Sequence, residues 1–345
     1  MSLRVGVIGT GAIGTDHIRR INQVIKGARV TAVMDINYQA AKDAAVAYDA
    51  EVFRQSGELC ASSIVDAVIV ASDGSAHAKH TLEAVFEGKP VLCEKPLAET
   101  AESCKEIVSA EVEKGKKLVQ VGFMRRYDKG YRMLKEAIDS GKLGAPLMAH
   151  CTHRNMSLSP PYYTASFYTS GMHITTCAIH EIDVMRWLLD DEYTSAQVIF
   201  PRRTSHIPPD KGDIADPQVL ILMTEKGIYI ELEIFFNSMF GYDINCEIVC
   251  ESGTASLPQP TSLDMRQDAK AYRMLETGWK ERFIDAYDVE LQDWVDSALR
   301  GEINGPTAWD GYIASVTSDA CLRAQRSGQI EPIQFETRPA LYRST

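Results

Sequence analysis

Three glycines near the amino terminus have the spacing of a phosphate-binding loop. Gly9, Gly11 and Gly14 lie between an apolar run and a helical pattern. In such a loop the first glycine permits a tight turn, the second lets a pyrophosphate approach the backbone, and the third lets helix and strand pack closely. The backbone amides of Ala12 and Ile13, at the start of the helix, would face the phosphates. The motif therefore predicts a dinucleotide site.

An acidic residue indicates which dinucleotide is bound. Asp35 ends the second predicted strand, about 20 residues after Gly14, where a carboxylate binds the ribose in such folds. A carboxylate accepts hydrogen bonds from a 2′-hydroxyl and repels a 2′-phosphate, and residues 36–38 include no Arg or Lys. NAD is therefore favoured over NADP. The alternative is that Asp35 caps the next helix, and the two roles are compatible.

A lysine follows the fifth predicted strand. Lys95, in Glu94-Lys95-Pro96, would stand at the carboxyl edge of the sheet, where doubly wound folds bind their ligands. Its ammonium can donate hydrogen bonds to a reacting hydroxyl and stabilise alkoxide character. The alternative is a surface lysine that pairs with Glu94.

Oxidation of an alcohol also needs a base, because hydride leaves carbon only as the hydroxyl proton leaves oxygen. Histidine has a suitable pKa for this task, and the chain has eight histidines.

The pattern of apolar residues predicts two domains. The first 121 residues alternate apolar runs with helical patterns, which predicts an α/β fold with a doubly wound parallel sheet, a Rossmann domain over residues 1–122. The predicted strands are 3–8, 30–34, 51–53, 67–71, 90–93 and 118–121, and the predicted helices are 13–25, 39–48, 77–87 and 101–114.

Beyond about residue 145 the pattern changes to long alternating strands. These are 147–153, 196–200, 219–223, 228–236 and 242–249, with a helix near 179–189 and two more at 286–299 and 313–326. They predict an α+β domain over residues 123–345, built on a large open, mostly antiparallel sheet.

Composition and charge exclude several classes of partner. There are 36 Lys and Arg against 47 Asp and Glu, a net charge of −11 that repels phosphate backbones and anionic lipid. The longest apolar stretch, 65–71, is far short of the roughly 20 residues that span a bilayer, and no signal-peptide pattern precedes Val5. We expect neither nucleic acid nor a membrane as partner, and a cytoplasmic location.

The eight cysteines contain no CxxC pair, which favours reduced thiols over a disulfide framework or a zinc site. His77 and His80 have a spacing compatible with metal binding but lack a second cluster of ligands, so no metal is expected.

The motifs together resemble a known family. With GTGAIG at 9–14, EKP at 94–96 and HEID at 180–183, the chain resembles the Gfo/Idh/MocA oxidoreductases over nearly its whole length. Four further stretches resemble the inositol 2-dehydrogenase branch of that family. They are VQVGFMRRYD at 119–128, HRN at 153–155, GYDI at 241–244 and GPTAWDGY at 305–312.

The resemblance implies a reaction and an assembly. It implies oxidation of a secondary ring hydroxyl of myo-inositol to 2-keto-myo-inositol (scyllo-inosose), with hydride passing to NAD. It also implies a homotetramer associated through the sheet domain, and a cis peptide between Lys95 and Pro96, which costs only about 0.5–1 kcal/mol before proline.

The family's catalytic trio is a lysine, an aspartate and a histidine four residues after that aspartate. Lys95 and His180 match, which implies His180 as the base, with His173 as an alternative. Residue 176, however, is threonine. Thr176 can orient the histidine but cannot carry charge, which predicts a lower histidine pKa. Asp183 is a possible partial substitute, although a structural role is favoured.

Arg125, Asn155 and Tyr242 are our candidates for contacts to the polyol, since a ring with many hydroxyls needs several directional donors and acceptors. Two alternative functions stay open. The same chemistry on scyllo-inositol, another cyclitol or an aldose such as glucose is one. A catalytically inactive NAD-sensing protein is the other, and the presence of both Lys95 and His180 argues against it.

Overall fold

The computed structural model describes residues 2–156, 169–211, 214–258 and 264–343. The chain divides into two compact units, between Met124 and Arg125. Unit 1 contains Met1–Met124, Tyr287–Val316 and Phe335–Thr345, and unit 2 contains Arg125–Ala286 and Thr317–Gln334. Two later segments of the chain therefore belong to the first unit. The predicted domains, 1–122 and 123–345, are each one continuous stretch and do not include this return of the chain.

A six-stranded parallel sheet forms the centre of unit 1. Its elements up to residue 122 are β1 (Leu3–Ile8), α1 (Ala12–Gln23), β2 (Ala28–Met34), α2 (Tyr38–Val46), β3 (Glu51–Phe53), α3 (Ser56–Ala61), β4 (Ala67–Val70), α4 (Gly74–Phe86), β5 (Val91–Glu94), α5 (Ala101–Lys114) and β6 (Val119–Gly122). The strand order is β3-β2-β1-β4-β5-β6, the doubly wound order of dinucleotide-binding sheets. The predicted Rossmann architecture is confirmed.

The central strands are mostly apolar because helices cover both faces of such a sheet. All four residues of β4 and of β5 are buried. The helix α3 was not predicted, because six residues are too few to show a clear 3.6-residue period.

The remaining elements include those of unit 2. They are α6 (Lys129–Asp139), β7 (Pro146–Met156), α7 (Ile179–Leu189), β8 (Tyr193–Ile199), β9 (Gln218–Thr224), β10 (Tyr229–Ser238), β11 (Asp243–Cys250), β12 (Gly253–Ser256), β13 (Asp264–Gln267), β14 (Lys270–Arg273), α8 (Trp279–Arg282), α9 (Ile284–Arg300), α10 (Ala308–Ser327) and β15 (Glu331–Pro332). Short 3₁₀ segments lie at Met124–Tyr127, Pro209–Lys211 and Ala340–Tyr342.

A seven-stranded sheet dominates unit 2, in the order β12-β11-β7-β10-β9-β8-β15. Only the β7–β10 pair is parallel in this sheet, so the predicted open, mostly antiparallel sheet is confirmed. Burial alternates strictly along β9 and β11, which is why the sequence pattern was readable there. A π-helical segment, His173–Ala178, runs directly into α7 and was not predicted.

The core of unit 1 depends on a segment far along the chain. Side chains of β1, α1 and β2 pack in one buried cluster with Leu291, Trp294 and Val295 of α9. Trp294 is fully buried, and its indole N–H has no hydrogen-bond acceptor among the described residues.

Replacing Trp294 tests this packing. Trp294→Ala should lower the free energy of unfolding by about 3–5 kcal/mol, because it leaves a large cavity. Trp294→Phe should cost clearly less, since it keeps most of the ring and removes a buried donor without an acceptor. Urea unfolding followed by circular dichroism measures both, and equal losses for the two variants would contradict this account.

Candidate functional site

The glycine-rich loop of unit 1 has the geometry that its sequence predicts. Gly9 has a φ of 97°, and a Cβ there would lie 2.5 Å from backbone atoms of Ala71 and Ser72. A Cβ on Gly14 would lie 2.0 Å from the carbonyl oxygen of Gly9. Both positions therefore require glycine, and they bring the start of α1 close to the end of β1.

Gly11 differs from the other two glycines. It is exposed, and a Cβ there would meet no atom within 4 Å. It is also the N-cap of α1, so the amides of Ala12 and Ile13 belong to the first turn, whose N–H groups have no partner within the helix. Open space in front of helix amides fits a pyrophosphate. These five loop positions could hold the dinucleotide.

Asp35 lies beside this loop. Its Oδ2 accepts hydrogen bonds from the backbone N of Thr10 at 2.7 Å and from the Thr10 hydroxyl at 3.1 Å, and its Oδ1 accepts from the N of Asn37 at 2.8 Å. The N-cap of α2 is Asn37, whose side chain accepts from Ala40 N, so the alternative of a capping role for Asp35 is wrong. Asp35 instead ties the phosphate loop to the end of β2, and it stays half-buried beside the loop.

Two cations lie over the ring of Tyr38, three residues after Asp35. The Arg54 guanidinium lies 4.0 Å from the ring centre of Tyr38, and the Lys42 ammonium lies 4.7 Å from it. Arg54 is distant in sequence, in the loop after β3, and only the parallel pairing of β2 with β3 brings it close. Both cations contact the face of an aromatic ring.

Lys95 follows β5 directly and is half-buried, at the carboxyl edge of the sheet. The Lys95–Pro96 peptide is cis, as the resemblance implied. Glu94 does not project to solvent, because its Oε1 lies 2.8 Å from His17 Nε2 and its Oε2 accepts from the N of Lys95 at 3.2 Å. Burial raises the pKa of the Glu94 carboxyl, but the hydrogen bond and charge of His17 and the charge of Lys95 outweigh burial and hold that pKa below its usual range.

The loop that carries Lys95 is held by a buried histidine. His77 Nδ1 lies 2.7 Å from the carbonyl oxygen of Pro96, and its Nε2 lies 3.0 Å from that of Ser72. Carbonyl oxygens only accept, so both ring nitrogens donate. Burial lowers the pKa of His77, but Cys93 and the two carbonyls outweigh it and raise the pKa to about 9.

In the described residues, no cluster of three His, Cys, Asp or Glu side chains has an arrangement suited to a metal.

Unit 2 holds the candidate base. His180 is the second residue of α7 and is buried, and Thr176 is half-buried four residues earlier, in the π-helical segment. π-helical turns are rare and are frequent at functional sites. His173 begins the same segment, stacks on Phe236 at 5.2 Å, and accepts from the Gln218 amide at 3.0 Å. Burial lowers the pKa of His173 to about 3, which makes it a poor base near neutral pH.

The three candidate polyol contacts meet around one histidine that the sequence analysis did not select. His153 Nε2 lies 3.1 Å from Asn155 Oδ1, and its Nδ1 lies 3.1 Å from Nη2 of Arg125. The ring of Tyr242 packs edge-on against His153, with ring centres 6.0 Å apart. Asn155 is half-buried, whereas Arg125 and Tyr242 are buried.

Arg125 and Arg126 each pair with a carboxylate of α7. Arg125 Nη1 donates to Glu181 Oε1, and Arg126 donates to both oxygens of Asp183, at 2.8 and 2.5 Å. Asp183 is therefore held by an arginine, which supports its structural role.

Burial raises the pKa of Tyr242 to about 12 although Arg125 lowers it, so this phenol stays protonated. The sequence contains His153 within the HRN triplet at 153–155 and Glu181 directly after His180. Neither position indicates that the two side chains contact each other until the fold is known.

Family models match both parts of the chain. The NAD-binding Rossmann fold of the Gfo/Idh/MocA oxidoreductase family matches residues 3–123, and the C-terminal alpha/beta domain of that family matches residues 135–335. The chain belongs to the Gfo/Idh/MocA oxidoreductase family. It is an oxidoreductase with an NAD-binding Rossmann domain, and the predicted cofactor is confirmed.

Relatives in this family are similar along their full length. The chain is 54% identical to an inositol 2-dehydrogenase of Acidiphilium cryptum (strain JF-5) and 52% identical to one of Burkholderia cenocepacia (strain HI2424), over 99% of this chain and 100% of each relative. A crystal structure of myo-inositol dehydrogenase from Lactobacillus casei in complex with NAD(H) and myo-inositol is 41% identical, with a TM-score of 0.94 over 99% of this chain and 100% of that one.

No helix in the described residues is both long and apolar enough to cross a bilayer.

Substitution of two loop glycines should separate folding from cofactor binding. Gly11→Ala should keep the thermal stability of the protein but weaken NAD binding at least tenfold, because the new Cβ occupies the approach to the helix amides. Gly9→Ala should lower the melting temperature, because its Cβ would overlap backbone atoms. Calorimetry with NAD and thermal unfolding without it give the two readouts. Equal NAD affinity for Gly11→Ala and the native protein would contradict the assignment.

His77 predicts a pH dependence of stability. Its pKa is about 9 in the folded protein and about 6.5 in the unfolded chain, so its contribution is complete below pH 6.5 and disappears as the pH rises through 9. The free energy of unfolding should fall by up to about 3 kcal/mol more between pH 6.5 and 9.5 in the native protein than in His77→Gln. Urea unfolding at several pH values measures the difference, and parallel curves for the two proteins would refute it.

Proposed function

We propose that the protein oxidises a secondary ring hydroxyl of myo-inositol to 2-keto-myo-inositol, the reaction of an inositol 2-dehydrogenase. The observation that carries this proposal is the convergence of Arg125, Asn155 and Tyr242 around His153, in the same unit as His180. Several fixed donors and acceptors are what a ring bearing many hydroxyls requires. Full-length identity of more than 50% to inositol 2-dehydrogenases supports it.

The proposal assigns separate tasks to the residues. His180 accepts the proton of the reacting hydroxyl, and the Lys95 ammonium donates a hydrogen bond to the same oxygen and stabilises negative charge on it. NAD, when bound, supplies the hydride acceptor. Gly9, Gly11, Ala12, Ile13 and Gly14 hold the pyrophosphate, and Asp35 accepts from the ribose.

The exposed groups determine which residues we propose for direct contact with the polyol. Asn155 is half-buried and has amide positions left after its contacts to His153 and Cys177. Arg125 is only 1% exposed and is paired with Glu181, so we propose that it contributes to the polyol site mainly by supporting its neighbours.

Thr176 favours a second candidate. The family resemblance implies an aspartate at that position, and threonine cannot carry the charge that an aspartate would bring beside the candidate base. Oxidation of scyllo-inositol, another cyclitol or an aldose such as glucose is therefore the alternative. A protein that binds NAD without turnover is a third outcome.

One assay compares these functions. NADH formation is measured with NAD and with NADP, using myo-inositol, scyllo-inositol, D-chiro-inositol and glucose in parallel. Preference for myo-inositol with NAD supports the main proposal, and preference for another polyol supports the alternative. Absence of turnover with every substrate, together with NAD binding, would contradict both and favour a sensing protein.

We also propose a cytoplasmic homotetramer associated through the seven-stranded sheet. For the assembly, alternate residues on one face of β10, including Tyr229 and Phe235, are only half-buried in the single chain. For the location, all eight cysteines are free thiols. Light scattering of the purified protein tests the assembly.

Thr176→Asp should restore the missing charge. A carboxylate close to His180 favours the imidazolium and raises the histidine pKa by up to roughly 1–3 units. The neutral ring is the base, so the acidic limb of the pH profile of kcat should move to higher pH. Thr176→Asn is the matched control, because it has the same shape without the charge. An unchanged limb in Thr176→Asp would refute the assigned pairing.

A further inference from the structure

Glu181 is a buried carboxylate that the proposed chemistry does not use directly. It is 2% exposed, although it follows the candidate base His180 in the chain. Its Oε1 accepts from Arg125 Nη1, and its Oε2 lies 3.0 Å from His153 Nδ1. An ionised carboxylate is retained at such a depth only when charges and donors surround it.

The contacts of Glu181 determine where His153 carries a proton. A carboxylate only accepts hydrogen bonds, so the 3.0 Å contact requires a hydrogen on Nδ1 of His153. Arg125 Nη2 lies 3.1 Å from the same nitrogen but only donates, so it would favour the other tautomer. Glu181 therefore decides between two proton arrangements of this ring.

The proton arrangement of His153 reaches Asn155. His153 Nε2 lies 3.1 Å from Asn155 Oδ1, and the NH₂ group of that amide donates to Cys177 Sγ at 3.6 Å. An amide oxygen only accepts, so Nε2 donates to it, and with the hydrogen that Glu181 requires on Nδ1 both ring nitrogens of His153 donate. A ring nitrogen that donates attracts the amide oxygen, and one that accepts attracts the NH₂ group. The protons on the His153 ring thus determine which end of the Asn155 amide, oxygen or NH₂, is held by the ring and which end is presented to a ligand.

We propose that Glu181 is a positioning residue for polyol binding, which acts by fixing His153 and, through it, the orientation of the Asn155 amide. Arg125 completes this arrangement, because it donates to the other carboxylate oxygen of Glu181. The inference rests on the proposed function, because it takes Asn155 as a contact to the polyol.

The test is a double-mutant cycle with Glu181→Gln, Asn155→Ala and the combined variant. Each single variant should raise KM for the preferred polyol about tenfold, the value of one good hydrogen bond. The apparent Kd for NAD should change by less than about twofold and kcat by less than about threefold. The combined variant should be no worse than Asn155→Ala alone, because Glu181 acts through that residue.

Asp128→Asn is the matched control. It removes the charge of a carboxylate that pairs at 2.8 Å with Arg282, another mostly buried arginine of unit 2, which like Arg125 lies over the Phe283 ring. It should lower the melting temperature without raising KM. Because Glu181→Gln leaves Arg125 without its charge partner, the variant Arg125→Met/Glu181→Gln serves if the single variant does not fold, and it should show the same rise in KM.

The possible failures are distinguishable. If Asn155→Ala leaves KM unchanged, the proposed polyol contact is wrong and the inference falls with it. If Asn155→Ala raises KM but Glu181→Gln does not, or if the two effects multiply in the combined variant, the proposed function stands and the positioning role is refuted.

Discussion

An ionised carboxylate can be buried only where donors and positive charges replace its water, and each unit buries one next to a candidate catalytic residue. Glu94 precedes Lys95, and Glu181 follows His180. Neither carboxylate faces solvent, and each lies within 3.0 Å of a histidine nitrogen, His17 or His153. This requirement ties the backbone beside each candidate catalytic residue to the interior of its own unit.

Rigid support of this kind suits hydride transfer. The cofactor carries the difficult bond change, so the protein contributes orientation and control of one proton. In unit 1 the loop after β5 is held by Glu94, which accepts from the N of Lys95, and by His77, which donates to the carbonyl oxygen of Pro96. In unit 2 a π-helical segment that runs directly into α7 carries Thr176 and leads to His180. In both places, a candidate reactive group stands on an element whose neighbours are fixed by buried hydrogen bonds.

Much of this could be predicted from the sequence because the relevant signals are local. The roles of Gly9 and Gly14 follow from loop geometry over a few residues, and the apolar run of β4 indicates a strand covered on both faces. The short helix α3 and the π-helical segment lacked a readable period. The capping role considered for Asp35 failed because Asn37, two residues later, is better placed to cap α2.

The sequence by itself determined the architecture, the family, the cofactor and the positions of Lys95 and His180, because motif spacing and hydrophobic period are properties of neighbouring residues. Only the tertiary structure decided what surrounds them. Arg125, His153 and Glu181 are separated by 28 to 56 positions in the chain, yet they form one buried network. Contacts of that range depend on how β7 and α7 pack. The pairing of buried charges, which decides whether a residue contacts a ligand or supports a neighbour, is therefore invisible until the chain is folded.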